Sequence, residues 1–445
     1  MDPTFATVLP NRVPREPRVL QVSVFIRQLT GIRFVAAFWV FAYHLQGPFN
    51  VLGLLAIPVI GDVMRVGRLG VDLFFALSGF ILTHTYLTRM GHTIQPRQTL
   101  KFWWLRLARI YPVHIVMLVV AGIAVFAQAR IAGESVDRDW WNPIDFIKNL
   151  LLIQEWGANP ERGWNFVAWS LSMEWLAYLV FPILVLVLWR LHTKVPTFVL
   201  VLAWFAVLTP LVGYGLGTSD PYYTNDWGST YRIGTEFIAG AITYLIVQRL
   251  AERGKAVHKA ADVLAIALPL AVVAGSVLLA NLPAAQPPES ALSPDAEPLP
   301  PYFHLLLVPL LIAWIGALAL AHGGMARALS TRALVLGGFI SYSLYMTHLV
   351  WMGLWRTGMD AVGIDGGALY AVGVVLLIVG AMAIAYLMWR VVEEPAREWM
   401  RGLVGSRRTP TEEAGEQIVE ATATSHDGAP DEPIEPVAVP DEETR

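Results

Sequence analysis

The sequence predicts an all-α polytopic membrane protein with about ten transmembrane helices and both termini cytoplasmic. Three observations carry that prediction. The 445 residues are 55% hydrophobic and only 15% charged, with a mean hydropathy of +0.52, a balance that no soluble domain of this size needs. Apolar runs long enough to cross a bilayer recur near 31–51, 70–88, 110–130, 168–189, 196–215, 232–250, 261–281, 302–322, 335–356 and 367–390. Basic residues gather at alternate ends of these runs: Arg12, Arg15, Arg18 and Arg27 before the first, Arg89 to Arg109 after the second, Arg190 and Lys194 after the fourth, Arg249 to Lys259 after the sixth, Arg327 and Arg332 after the eighth, and Arg390 to Arg408 after the last. The positive-inside rule then makes that side cytoplasmic, and an even number of crossings returns the chain to it.

Residues 1–28 form the cytoplasmic N-terminal segment. With Arg12, Pro14, Arg15, Pro17 and Arg18 and no apolar stretch before them, it lacks a cleavable signal peptide, so the first helix is its own insertion signal. Residues 29–402 form the membrane domain, and 403–445 an acidic, proline-rich cytoplasmic tail expected to be disordered. The absence of cysteine excludes disulfides, thiolate metal sites and a covalent cysteine intermediate. The 17 tryptophans suit interfacial belts, although Trp103 and Trp104, or Trp140 and Trp141, fit ligand walls equally well. Nucleic acid is not an expected partner, and no metal or redox cofactor is implied. Outside the helices, the proline-rich stretch 282–300 reads as an outer loop, and the loop 131–167, ending in Arg162, Gly163, Trp164 and Asn165, as a flap over a cavity.

The first run, Leu29 to Leu45, holds Arg33 and His44 eleven residues apart. That is three helical turns plus about 20°, so both side chains share a face, separated by about 16 Å along the axis, with Ala37, Val40 and Phe41 between them. A cation near one surface and an imidazole deep in the bilayer suit a substrate with an anionic head and a short reactive tail. Polar groups inside spans are costly, and the remainder are few: Asp72, Ser78 and His84 on the second run, Ser170, Ser172 and Glu174 on the fourth, Arg232 and Glu236 on the sixth, Ser341, Tyr342, Ser343, Tyr345 and His348 on the ninth, and Glu393 and Glu394 after the tenth.

Run direction sorts these residues into two layers. His44, Asp72, Glu174 and His348 fall in the outer half or middle, whereas Arg33, His84, Arg106, Arg109 and Glu393 fall in the cytoplasmic half. In the outer layer His44 reads as a general base for an acceptor hydroxyl, with Glu174 or Asp72 orienting it. A histidine that merely hydrogen-bonds a neighbouring helix is the structural alternative. His348 fits either catalytic support or a helix packed through its small hydroxyl residues. Ser78-Gly79 is most simply a close helix crossing. In the inner layer Arg106 and Arg109, three residues apart, fit a phosphate clamp and equally the basic residues that any cytoplasmic helix end carries.

These pieces together resemble the acyltransferase-3 family of integral membrane O-acyltransferases across residues 29 to 400. LTGIRFVAAFWVFAYH is similar to the family's first-helix signature, GVDLFFALSGFILT to its second-helix motif, RLAR to its paired-arginine motif and WSLSMEW to its Trp-Ser-Leu-Ser-x-Glu motif. ISYSLYMTH and VVEEPAR resemble its two C-terminal signatures. Two positions depart from the pattern: Thr30 stands where an acid usually precedes the first-helix glycine, and Trp175 where a second acid often follows the fourth-helix glutamate.

The resemblance implies a cytoplasmic acyl-CoA donor such as acetyl-CoA and an acceptor hydroxyl on a cell-envelope carbohydrate, glycolipid or secondary metabolite. On that footing His44 and Glu174 are the expected catalytic residues, and Arg33, Arg106 and Arg109 bind the donor. Asp72, Ser170, Ser172, Tyr345 and His348 are expected at the acceptor or in support. A fused extracytoplasmic hydrolase-like domain is not expected. The rival from another class is a proton-coupled transporter or lipid permease, in which the same His, Glu and Asp form a proton relay. The sequence shows no internal repeat of the kind such transporters carry.

Overall fold

The computed structural model describes residues 26–133, 141–157, 164–216, 227–281 and 303–405, and all regular structure among them is helical. The N-terminal basic cluster, Arg162 and Gly163, the stretch 282–300 and the tail after Gly405 lie outside the described residues. The helices are α1 (Arg27–His44), α2 (Gln46–Val51), α3 (Ile60–Arg65), α4 (Leu69–Met90), α5 (Pro96–Ala132), α6 (Pro143–Leu150), α7 (Trp169–Lys194), α8 (Thr197–Gly215), α9 (Gly228–Ala251), α10 (Lys255–Ala280), α11 (Val308–Leu320), α12 (Gly324–Leu329), α13 (Arg332–Ala361), α14 (Gly367–Met388) and α15 (Glu394–Gly402). A π-helical turn, Trp389–Glu393, joins the last two.

Every apolar run expected to span falls on a helix, but the count changes. Among the described residues seven helices are long and apolar enough to cross a membrane: Leu69–Met90, Pro96–Ile131, Phe166–Lys194, Lys255–Ala280, Phe303–Leu320, Arg332–Ala361 and Gly367–Gly402. The remaining three expected runs fall short of that measure: α1 and α9 carry arginines and other polar groups on faces they bury, and α8 is shorter. The first run also does not continue to residue 51. It stops at His44 because Pro48 lacks an N–H and its ring would collide with the His44 carbonyl four residues back, so the chain restarts as the short α2.

Small residues bring the central helices together. A Cβ added to Gly79 would lie 1.9 Å from the Phe237 carbonyl oxygen, and one added to Gly240 would lie 1.9 Å from that of Ala76. The α4–α9 crossing is therefore a backbone-to-backbone contact, as the Ser78-Gly79 pair suggested. Gly338 on α13 approaches the Thr30 carbonyl of α1 in the same way. By contrast α10 and α14 turn Val263, Leu270, Val372, Leu376 and Val379 outward, where lipid solvates them.

Side chains near the helix ends fasten neighbouring helices to one another. Gln28 at the start of α1 donates to the Leu318 carbonyl at the end of α11, and Trp104 near the start of α5 donates to the Met400 carbonyl of α15. Arg249 at the end of α9 donates to the Leu191 and His192 carbonyls at the end of α7. His44 is at the opposite end of α1 from Gln28.

Candidate active site

A cavity opens at the centre of the bundle where α1, α4, α5, α7 and α13 converge, with about 140 Å³ of space for water-sized molecules. Its polar lining is concentrated chemistry: Arg33 from α1, Arg106 and Arg109 from α5, Glu174 and Tyr178 from α7, and Tyr342 and Tyr345 from α13. Apolar walls come chiefly from α4, through residues such as Phe74 and Phe75. Three guanidiniums around one space repel one another, so each needs a counter-charge or a reason.

Two of the three have identified company. Arg109 is ion-paired with Glu393 and stands over the Tyr342 ring at 5.7 Å. The Glu393 carboxylate is itself fully buried, accepting from Ser343 Oγ at 2.7 Å through its second oxygen. It is the last residue of the π turn, a distortion that recurs where a helix must aim one residue inward. Arg106 sits among rings, 5.7 Å from the centroid of Tyr86 and 6.0 Å from those of Phe102 and Tyr178. Arg33, half-buried, makes no hydrogen bond or ion pair among the described residues.

The structure distributes the sequence-predicted residues unevenly. Arg33, Arg106, Arg109, Glu174, Ser170 and Tyr345 come together around the cavity; His44, His348, Asp72 and Ser172 are outside its lining. Glu174 accepts a hydrogen bond from the Tyr178 hydroxyl, one turn along α7. Asp72 is held by Arg232 in a two-pronged pair, Nε to Oδ1 at 2.7 Å and Nη2 to Oδ2 at 2.5 Å. Neither carboxylate contacts His44, so the expectation that one of them orients the imidazole is corrected. Ser172 is diverted as well: its hydroxyl donates to the Leu152 carbonyl at 2.9 Å and accepts from the Glu155 amide at 3.2 Å, pinning the preceding loop. Of that expected flap, the described part includes α6 and the turn after it, fastened to the start of α7, and residues 164–167, where the Trp164 ring lies 4.7 Å from that of Phe146 on α6 and Asn165 donates to the Met346 carbonyl at 3.1 Å.

His44 finds a different partner. Its Nδ1 is 3.2 Å from Nε2 of His348 and 2.9 Å from the Val40 carbonyl oxygen. Between this pair and the cavity stands one layer of rings, with Phe41 and Tyr345 each 5.9 Å from His348 and Phe74 6.4 Å from Tyr345. Tyr345 belongs to both places, because it lines the cavity and its hydroxyl accepts from Ser170 Oγ at 2.8 Å. Tyr178 and the anchoring role of Glu393 escaped the sequence reading. The first had a signal, its i+4 spacing from Glu174; the second depended on a π turn that no periodicity announces.

Residues 26–390 match the acyltransferase-3 family model, described as an acyltransferase domain. The chain belongs to the acyltransferase-3 family of integral membrane acyltransferases. It is 28% identical over 424 residues to acyltransferase MdmB of Streptomyces mycarofaciens, covering 88% of this chain and 95% of that protein. It is 30% identical over 175 residues to the peptidoglycan O-acetyltransferase OatA of Listeria monocytogenes, covering 37% of this chain and 24% of that protein. A putative O-acetyltransferase of Staphylococcus aureus matches at 28% identity over 170 residues, 37% of this chain and 25% of that protein. No solved structure matches. For this acyltransferase, membership sets the reaction class, and the transporter alternative falls away.

Proposed function

We propose that this acyltransferase moves a short acyl group, acetyl in the simplest case, from cytoplasmic acyl-CoA to a hydroxyl of a cell-envelope carbohydrate, glycolipid or secondary metabolite. The observation that carries the reading is Arg33: a half-buried guanidinium facing the cavity that makes no hydrogen bond or ion pair among the described residues, with Glu174 and Glu393 acting on it only from beyond contact distance. The donor enters from the basic face, its phosphates gathered by Arg106 and Arg109 and its tail drawn along α1 past Arg33. Fork-shaped guanidiniums suit phosphate oxygens, and their rings and carboxylates hold them in place beforehand.

The thioester then has to pass the ring layer of Tyr345 and Phe74 to reach His44, about 16 Å along α1 from Arg33. There the acceptor hydroxyl gives its proton to His44 as its oxygen attacks the thioester carbonyl. The carbon–oxygen bond forms, the carbon–sulfur bond breaks, and the leaving thiolate takes up a proton as CoA thiol. No acyl-enzyme is needed, because donor and acceptor approach the histidine from opposite ends. Of the relatives, OatA is named for peptidoglycan, which supports an envelope glycan; MdmB, matched over nearly its whole length, is named only as an acyltransferase, so the small-molecule acceptor stays in the proposal.

The test is transfer from radiolabelled acetyl-CoA to envelope glycans and lipids in membranes carrying wild type or His44→Ala at matched protein level. Label with wild type and none with the variant supports the mechanism, and the labelled fraction names the acceptor class. Equal labelling with both overturns the role of His44.

A further inference from the structure

His44 cannot act as a base on its own terms; its two ring nitrogens have to be told apart. The hydrogen bonds around it do this. His348 Nδ1 faces two backbone carbonyl oxygens, Tyr345 at 2.7 Å and Leu344 at 3.2 Å. A carbonyl oxygen can only accept, so Nδ1 of His348 carries the hydrogen and its Nε2 is a bare lone pair. That lone pair is 3.2 Å from Nδ1 of His44, which also faces the Val40 carbonyl at 2.9 Å. Two acceptors around one nitrogen require a hydrogen there too. His44 therefore donates from Nδ1, and its Nε2 is left as the basic nitrogen.

We infer that His348 is the positioning residue of this site: its bare Nε2 fixes the tautomer of His44 and shares the positive charge when His44 takes a proton. The inference rests on the reading of His44 as base and adds what makes it one. It gives His348 the place that a carboxylate holds beside a catalytic histidine elsewhere. A neutral partner suits this depth, since a buried carboxylate without a strong counter-ion is costly. Packing keeps the arrangement rigid. His348 is 1% exposed, its ring edge meets Phe41 at 74°, and α1 and α13 touch backbone to backbone at Gly338.

The groups facing the pair are Tyr43 from α1, Arg68 from the start of α4 and Tyr345 from α13. Tyr43 stacks edge-on to His44 at 5.0 Å and accepts from Arg68 Nη2 at 2.5 Å. A cation so near opposes a second positive charge on His44, so a partner able to share that charge matters more.

Two variants test the role: His348→Phe keeps the ring volume without a lone pair, and His348→Gln returns an amide oxygen able to accept from His44. In membranes carrying the full-length protein, with radiolabelled acetyl-CoA as donor and their own envelope glycans and lipids as acceptors, the Phe variant should lose about 30-fold in kcat, the scale on which partners behind a reactive group act. Its KM for acetyl-CoA should stay within about 2-fold, and the acid limb of its pH profile should move to lower pH. The Gln variant should recover most of the rate and return the limb. A Phe variant with more than half the wild-type kcat, or a Gln variant no better than Phe, overturns the role.

Nitrogen-15 NMR of labelled histidine gives an answer that does not depend on either variant folding. The signal lost in His44→Ala should carry its hydrogen on Nδ1, and the opposite tautomer overturns the assignment. A fully active His44→Ala would instead remove the underlying reading, whatever His348 does.

Discussion

Two buried charge clusters sit within this bundle, and they are built to opposite ends. Between α4 and α9, Arg232 grips Asp72 with two hydrogen bonds and lies 3.4 Å from Glu236, with Glu236 fully shielded and Asp72 nearly so. The backbones on either side touch at Gly79 and Gly240, which leaves no room for anything else. Around the cavity, Arg109 has Glu393, Arg106 has rings, and Arg33 faces open space. A closed cluster spends its charge on its own helices and fixes how they cross. An open one leaves a guanidinium without a hydrogen-bonded partner beside a space, which is why the proposed function puts the donor there. Burial alone therefore does not mark function in a membrane; an unanswered charge beside a space does.

The sharpest way to break this contrast is to remove one partner from each cluster. Asp72→Ala leaves Arg232 without its two-pronged acceptor inside the bundle and should cost about 3–5 kcal/mol, read as lost protein level and a lowered thermal midpoint in detergent. The double variant Asp72→Leu with Arg232→Met should recover most of that loss, because a well-packed apolar pair often replaces a buried ion pair without penalty. Stability unchanged in Asp72→Ala would mean the pair is not structural. Arg33→Gln should do the reverse. Thermal midpoint should hold within about 2 °C while acyl transfer falls by about 100-fold, mostly through weaker acetyl-CoA binding, since a charge-assisted contact to the ligand is lost and none within the protein. An Arg33 variant whose thermal midpoint drops by more than about 5 °C while its KM for acetyl-CoA, measured below that midpoint, is unchanged would place Arg33 with the closed cluster.

Much of this was legible before the structure. Apolar runs and basic flanks placed the helices, because lipid permits few alternatives, and the motifs placed Arg33, Arg106, Arg109, Glu174, Ser170 and Tyr345 that line the cavity. What failed was pairing. Asp72 and Arg232 are 160 residues apart and His44 and His348 are 304 apart, so nothing local in the chain announces either contact. Depth was no guide to neighbour: Glu174, expected in the outer layer, lines the cavity with Arg33, Arg106 and Arg109, expected in the inner one, and His44 and Asp72 pair elsewhere. The seven strongly apolar spans among the described residues likewise differ from the ten expected, because α8 is shorter and α1 and α9 carry polar side chains, Arg33 among them on α1 and Arg232 and Glu236 on α9.

A third buried charge lies between these extremes and offers the smallest effect. Glu155, in the turn that leads to α7, is 4% exposed and accepts from the Ser229 hydroxyl at 2.6 Å. Burial pushes its carboxyl up to about 7, the Ser229 hydrogen bond offsetting only part of that. A carboxyl raised above its unfolded value holds its proton in the folded protein while the unfolded chain has released it. Stability should therefore fall as pH rises from about 4.5 to about 7 and level off above. The drop should be about 2 kcal/mol, seen as a thermal midpoint lower by about 2–4 °C at pH 8 than at pH 5. Glu155→Gln keeps the acceptor for Ser229 without the ionisation, so its midpoint should flatten over that range and exceed wild type at pH 8. If wild type and variant run parallel, Glu155 is answered by a cation or by water, and belongs with the closed cluster after all.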